Sequence, residues 1–261
     1  MKHIAVITGA SSGIGKEFVF QIAGSYRSLD EIWLIARREQ ELRKLAGRIP
    51  DVAFRILPLD LAEKESFFIL EQLLQQEKPC IRLLVNSAGL GKNGPVENQS
   101  WQDGSTMIDV NCRALTAVTQ ICLPFLRKGS RVIQVDSGSA FLPQPGFTIY
   151  AASKSYVLSF SRALGEELRR RQISVTAVCP GPVDTDFFKT GGIRLNSFKK
   201  KFLVKPQKVV RKALFDAEAG KAMSVCSFSI WLVQLAGKLL PQGMIVRITG
   251  WLFFDDIVGG L

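Results

Sequence analysis

The sequence predicts an α/β fold, a doubly wound parallel sheet of about seven strands in a single domain. Three observations carry that expectation. Short β-rich runs alternate with segments of helical periodicity, and a glycine-rich stretch, TGASSGIG, occupies residues 8–15 between the first run and the first helical segment. The 261 residues, 47% hydrophobic, contain neither a linker nor an internal repeat, so one large core is expected.

The strands are IAVIT (4–8), EIWLIA (31–36), AFRIL (53–57), RLLVN (82–86), RVIQV (131–135) and SVTAV (174–178). Helical segments lie at 14–25, 39–48, 63–77, 101–126 and 151–171, and a helix at 206–219 leads to a seventh short strand near 223–226. Strands joined by crossover helices pair in parallel and are covered on both faces. In such a sheet, ligands bind beyond the carboxyl ends of the strands. Those ends carry TGASSGIG, Arg37, Asp60, NSAG (86–89), DSGSA (136–140) and PGPVDT (180–185), so small and polar residues gather on one rim.

A glycine-rich turn between strand and helix lets a pyrophosphate approach the backbone and meet the unsatisfied N–H groups at the helix N-terminus. Gly9, Gly13 and Gly15 supply the room. Tyr150 and Lys154 stand four apart on a predicted helix and share one face. A free tyrosine, with a pKa of about 10, shuttles protons poorly near neutrality. A neighbouring ammonium group is expected to favour the phenolate and lower that pKa.

Composition excludes other chemistry. His3 is the lone histidine, so neither a histidine metal cluster nor a Ser-His-Asp triad can form. Five cysteines, Cys80, Cys112, Cys122, Cys179 and Cys226, lack metal-ligand spacing and read as buried reduced thiols. MKHIAVITG turns into the glycine motif before a signal-peptide apolar region could form, which gives a cytoplasmic expectation.

TGASSGIG, Asp60-Leu61, NSAG, Asn111 in DVNCRA, Ser137, YAASK (150–154) and PGPVDT together resemble the short-chain dehydrogenase/reductase family in its single-domain, Rossmann-type form, over about residues 3 to 188. The resemblance implies a catalytic set of Asn111, Ser137, Tyr150 and Lys154. Ser137 would bond the substrate oxygen, Lys154 hold the nicotinamide ribose and Asn111 position a relay water. It implies cofactor contacts from Gly9, Ser11, Ser12, Gly13, Ile14, Gly15, Arg37, Asp60, Leu61, Asn86, Ala88, Gly89, Tyr150, Lys154, Pro180, Gly181, Val183 and Thr185, with Thr185 orienting the carboxamide. Two departures, Ser87 and Asp136, remove no group the chemistry requires.

Ala36 stands where a carboxylate would bind the ribose hydroxyls of NAD, and Arg37 and Arg38 follow, which favours NADP(H). The expected activity is hydride transfer between this cofactor and a carbonyl or secondary alcohol on a hydrophobic, steroid-like or lipid-like molecule. A 3-oxoacyl reductase and a non-catalytic NADP-binding scaffold are the alternatives. Against the former, the chain lacks the aspartate-glycine-glycine usual in the bacterial carrier-protein reductases.

Residues 187–261 read as a substrate-loop and C-terminal extension of the one domain. Formal net charge is +11, and 187–215 carries Lys199, Lys200, Lys201, Lys205, Lys208, Arg211 and Lys212 without an acid. Such a stripe reads first as a solvated helix face and second as a surface that attracts anionic partners or steers an anionic substrate; no nucleic acid is expected. The uncharged run AMSVCSFSIWLVQLAG (222–237) is shorter than the about 20 residues of a membrane span. It reads as a buried strand and amphipathic helix, followed by a tail that covers the core or another subunit; surface contact with a bilayer is the second reading. By resemblance, helices near 101–126 and 150–171 pair subunits into a homodimer or homotetramer.

Overall fold

A computed structural model describes residues 1–190 and 202–253. One sheet of seven parallel strands runs in the order β3-β2-β1-β4-β5-β6-β7. The strands are β1 (His3–Thr8), β2 (Glu31–Ile35), β3 (Phe54–Leu57), β4 (Cys80–Asn86), β5 (Leu126–Val135), β6 (Ser174–Val178) and β7 (Met223–Ser224). The winding reverses between β1 and β4, which opens a crevice at their carboxyl ends.

Side chains of β1 alternate between two cores. Ala5 and Ile7 pack with Phe18 and Ile22 of α1 (Gly13–Ser25), Leu42 of α2 (Glu39–Ala46) and Val209 and Ala213 further along the chain. Ile4 and Val6 face Leu70 of α3 (Glu65–Glu77) together with Val118 and Leu164. Every residue of β2 is buried, as a strand covered on both faces requires. Each fully buried Ile or Leu here stabilises the fold by about 1.5–3 kcal/mol.

The expected helix 101–126 is instead composite: α4 (Trp101–Ile108), a π turn over Asp109–Ala114, α5 (Leu115–Cys122) and a short 3-10 turn. Next come α6 (Thr148–Leu168), the single turn α7 (Phe187–Thr190) and α8 (Pro206–Glu218), the last followed by α9 (Phe228–Leu239) and α10 (Gln242–Phe253). Strand β5 begins at Leu126, earlier than expected, because Leu126 pairs with Ile81 before the register shifts. Lys199, Lys200 and Lys201 of the basic stripe lie outside the described residues, as do residues 254–261.

The run 222–237 forms the expected short strand and helix, β7 and α9, while the tail expected to cover the core or another subunit touches the core with only part of its length. No residue of α9 is fully buried, and Phe228, Trp231, Leu232, Leu235 and Leu239 are exposed. Of α10, Ile245 and Thr249 are buried, while Met244, Ile248 and Trp251 face outward. Both sheet faces are already covered by other helices, so hydrophobicity alone could not bring this segment inside.

Two glycines in the β1–α1 turn answer the packing of protein against protein. Gly9 has φ +65°, and a Cβ there would lie 2.8 Å from the Ala88 nitrogen and the Ser87 carbonyl oxygen. A Cβ at Gly15 would come within 2.3 Å of the Gly9 carbonyl oxygen. Thr8 closes the same junction, its Oγ1 accepting from the N–H groups of Ser87 (3.0 Å) and Ala88 (3.1 Å). Gly9→Ala should therefore cost about 2–4 kcal/mol, combining backbone strain with a clash against backbone. Gly24→Ala, where a Cβ meets nothing within 4 Å, should be neutral or mildly stabilising. Urea unfolding midpoints of both variants test this, and equal midpoints would show the turn to be tolerant.

Candidate active site

The first turns of α6 present Tyr150 and Lys154 on one face, both buried. Phe147 stacks on the Tyr150 ring at 4.3 Å between centroids, and Phe187 closes the other side at 5.6 Å. Ser137, just beyond the carboxyl end of β5, stands close enough to the Tyr150 phenol to favour its ionised form. It also caps the 3-10 turn Gly138–Phe141, its Oγ accepting from the Ser139 N–H at 3.1 Å. Ser139 turns elsewhere, donating to Gln144 at 3.2 Å. Lys154 Nζ donates to the Val135 carbonyl at 2.9 Å, 5.7 Å from the centre of the Tyr150 ring.

Asn111 lies in the π turn and is 1% exposed. Its Oδ1 accepts from the Leu90 N–H (3.0 Å), and its Nδ2 donates to the Leu90 carbonyl (2.9 Å) and Ser153 Oγ (3.0 Å). The side chain thus ties the loop after β4 to α6. π turns widen a helix and occur frequently at functional sites. Here the widening brings Asn111 Oδ1 against Gly89, whose Cβ would stand 3.2 Å away.

Burial, not Lys154, dominates the Tyr150 phenol. It pushes the pKa above the ordinary value, Ser137 pulls it down, and the charge of Asp136 raises it. Lys154, 5.7 Å from the ring centre, is committed to the Val135 carbonyl. The same burial lowers the Lys154 pKa, against which Asp136 acts.

Asp136, read as a mild departure, is 3% exposed and sits beneath the site. The Cys179 thiol donates to its Oδ2 at 3.6 Å, while Oδ1 is buried without a hydrogen-bond partner among the described residues. Burial pushes its carboxyl up to about 7, with Lys154 opposing. Sequence reading missed this residue's weight, since nothing in DSGSA reveals that its side chain points inward.

The remaining expected contacts gather at the carboxyl rim. Ser12 is the N-cap of α1 and makes no side-chain capping bond, which leaves the first-turn N–H groups around Gly13 and Ile14 to an anion. Gly13 faces Thr185, whose Cβ would stand 3.4 Å from an added Cβ. Arg38 Nη2 donates to Ser11 Oγ at 3.1 Å, whereas Arg37 lies 3.9 Å from Asp60; Arg38 thus stands nearer the glycine turn. Asp60 accepts from the Ala62 N–H at 3.0 Å, and Leu61 is buried in the core. The Asn86 side chain is buried and donates to Thr119 at 2.9 Å. Ala88 and Gly89 flank Gly9 and Asn111, Pro180 accepts from the Gly138 N–H at 2.8 Å, Gly181 abuts Ile230, and Val183 bridges to Val204. A helix N-terminus with uncommitted donors, cations at the end of β2 and a buried tyrosine-lysine pair fit a dinucleotide.

Since the Asp136 carboxyl titrates near pH 7 when folded and near pH 4 when unfolded, the native state holds the extra proton between those values. Stability therefore falls as pH rises through that window. Asp136→Asn should gain stability relative to the native protein from about pH 4 to pH 8, read as urea midpoints. A difference independent of pH would remove this carboxyl from the balance.

The model of the family described as short chain dehydrogenase matches residues 3–193. An uncharacterized oxidoreductase of Staphylococcus epidermidis is 32% identical over 186 residues, 70% of this chain and 79% of that protein. Another from Staphylococcus aureus is 27% identical over 87% of this chain and 96% of its own length. Among solved structures, a short-chain dehydrogenase from Sphingobium yanoikuyae in complex with NADPH is 27% identical, with a TM-score of 0.78 over 94% of this chain and 95% of its own. A 7beta-hydroxysteroid dehydrogenase, at 19% identity and TM-score 0.78 over 95% and 96%, shares the fold. The chain belongs to the short-chain dehydrogenase family and is an oxidoreductase of that type.

Proposed function

We propose that this protein is an NADP(H)-dependent reductase, or alcohol dehydrogenase, for a hydrophobic ketone or secondary alcohol. The observation that carries the reading is the convergence of buried Tyr150 and Lys154 with half-buried Ser137, with Asn111 bracing the cluster from behind. When bound, the cofactor supplies or takes the hydride. Tyr150 Oη passes the proton to or from the substrate oxygen, and Ser137 Oγ bonds that oxygen. Lys154 holds the ribose, and its ammonium favours the phenolate once the site is engaged; Asn111 orders the relay to solvent. Phe147 and Phe187 give the reacting centre apolar walls, which suits a hydrophobic carbonyl.

NADP is supported by Ala36 in place of an acid and by Arg37 and Arg38 at the end of β2. A similar protein is solved with NADPH. Residues 187–261 would supply the substrate side, and residues before them the cofactor side. Apolar side chains exposed on α4 and α6, Trp101, Ile108 and Tyr156, support a homodimer or homotetramer paired through those helices. Free thiols at Cys80, Cys112, Cys122, Cys179 and Cys226 suit a reducing, cytoplasmic compartment.

An NADPH-oxidation screen over steroids, acyl thioesters and small ketones tests the function. Tyr150→Phe should lower turnover on the best substrate by about 100- to 10,000-fold while NADPH titration stays within a few-fold. Near-native turnover would remove Tyr150 from the chemistry. Ala36→Asp combined with Arg37→Ala and Arg38→Ala should shift the NADP-to-NAD preference by roughly 10- to 100-fold, since hydrogen bonds to a charged group are lost and a carboxylate repels the phosphate. Unchanged selectivity would place the phosphate elsewhere, with Lys16 the next candidate.

A further inference from the structure

We propose that the outer face of α9 and α10 docks this protein onto an anionic lipid surface. Of the large apolar side chains exposed among the described residues, half lie between Phe228 and Trp251. On α9 the exposed positions follow steps of three and four, which makes one continuous stripe. A soluble helix turns such a stripe inward. Here the inward positions are occupied by different contacts: Ile230 against Gly138 and Gly181, and Gly237 so close to Phe141 that a Cβ would stand 2.5 Å from its carbonyl oxygen. On α10, Thr249 Oγ1 donates to the Pro143 carbonyl at 2.9 Å and Ile245 is buried. Both helices are thereby seated on the protein with their apolar sides outward.

Depth and charge select the occupant. Each helix has 12 residues, about 18 Å at 1.5 Å per residue, against an apolar core of about 30 Å. No helix among the described residues is long and apolar enough to cross a membrane. Trp231 and Trp251, apolar rings with one N–H each, suit the interface between headgroups and chains. Lys221 is paired with Asp216 at 2.9 Å, which leaves Lys238 on α9 and Arg247 on α10, and neither helix carries an acid. A cleft between α6 and α9 is lined by both Arg162 and Lys238, with no carboxylate in its lining. A second copy meeting this face with its own α9 and α10 would bring no acid to pair these cations, whereas an anionic surface is their complement.

Because α9 and α10 rest on the loop between Ser137 and Tyr150, docking brings lipid within about one helix diameter, roughly 10 Å, of that loop. A hydrophobic substrate would then arrive from the bilayer. That delivery rests on the proposed reductase activity; the docking does not, and its test needs neither cofactor nor substrate.

The test is flotation of the full chain with vesicles of phosphatidylcholine alone and of phosphatidylcholine with about one quarter phosphatidylglycerol. The native chain should float with the mixed vesicles, with tryptophan emission moving to the blue, and severalfold less with phosphatidylcholine alone or at high salt. Trp231→Glu combined with Leu235→Glu, both exposed, should abolish flotation while circular dichroism stays native. Arg162→Glu with Lys238→Glu should remove the preference for anionic vesicles. A native chain that stays in solution with mixed vesicles overturns the proposal, as does flotation unaffected by the Trp231 and Leu235 changes. An oligomer in solution that those changes dissociate, without flotation of the native chain, would assign the face to a second copy.

Discussion

The hydrogen bond from Lys154 to the Val135 carbonyl is the constraint on which the site depends. A buried ammonium group is costly unless it is bonded, and this one finds its acceptor at the carboxyl end of β5. The bond therefore sets the first turns of α6 against that strand end. Tyr150, one turn before Lys154, is carried to Ser137, one residue beyond the acceptor's neighbour. Asn111 reinforces the arrangement from the opposite side, since Ser153, between the two, receives its amide. Displacing any of these elements would leave a buried polar group unpaired, a penalty of about 1–3 kcal/mol each.

Asp136 gives this arrangement an unusual electrostatic floor. One carboxylate oxygen takes the Cys179 thiol and the other has no partner among the described residues; burial disfavours the charged form at the point where Lys154 is also desolvated. Each group's charge eases the other's burial, and the pair's charge state is therefore shared. With Tyr150 also resisting ionisation, the protein alone holds the proton on the phenol, the form that a carbonyl reduction consumes.

The C-terminal helices follow a different logic. The sheet is already covered by α1, α2 and α8 on one face and by α3, α5 and α6 on the other. Apolar residues that come later in the chain have no core left to enter. They gather on α9 and α10, which attach through small residues and a few inward side chains to the loops around the site. The surplus of apolar surface thus lies next to the candidate site.

Local signals were sufficient for the sheet and for the common face of Tyr150 and Lys154. Runs such as IAVIT and EIWLIA have no alternation, which itself demands cover on both faces, and the four-residue spacing of Tyr150 and Lys154 settles their common face once a helix is granted. Ser137 could be singled out from Ser139 only by position, whereas its contact with Tyr150 comes from the packing of β5 against α6. The break in the helix at Asn111, the inward turn of Asp136, the closeness of Arg38 to Ser11 and the outward turn of α9 had no signature in the sequence. Each depends on what another segment, distant along the chain, leaves unfilled: a carbonyl to satisfy, a crevice to line, a core already closed. Sequence by itself determined which residues could form strands, turns and a proton-transfer pair. Tertiary structure decided their charge states and exposed faces, because desolvation and burial are properties of the surroundings and not of the residue.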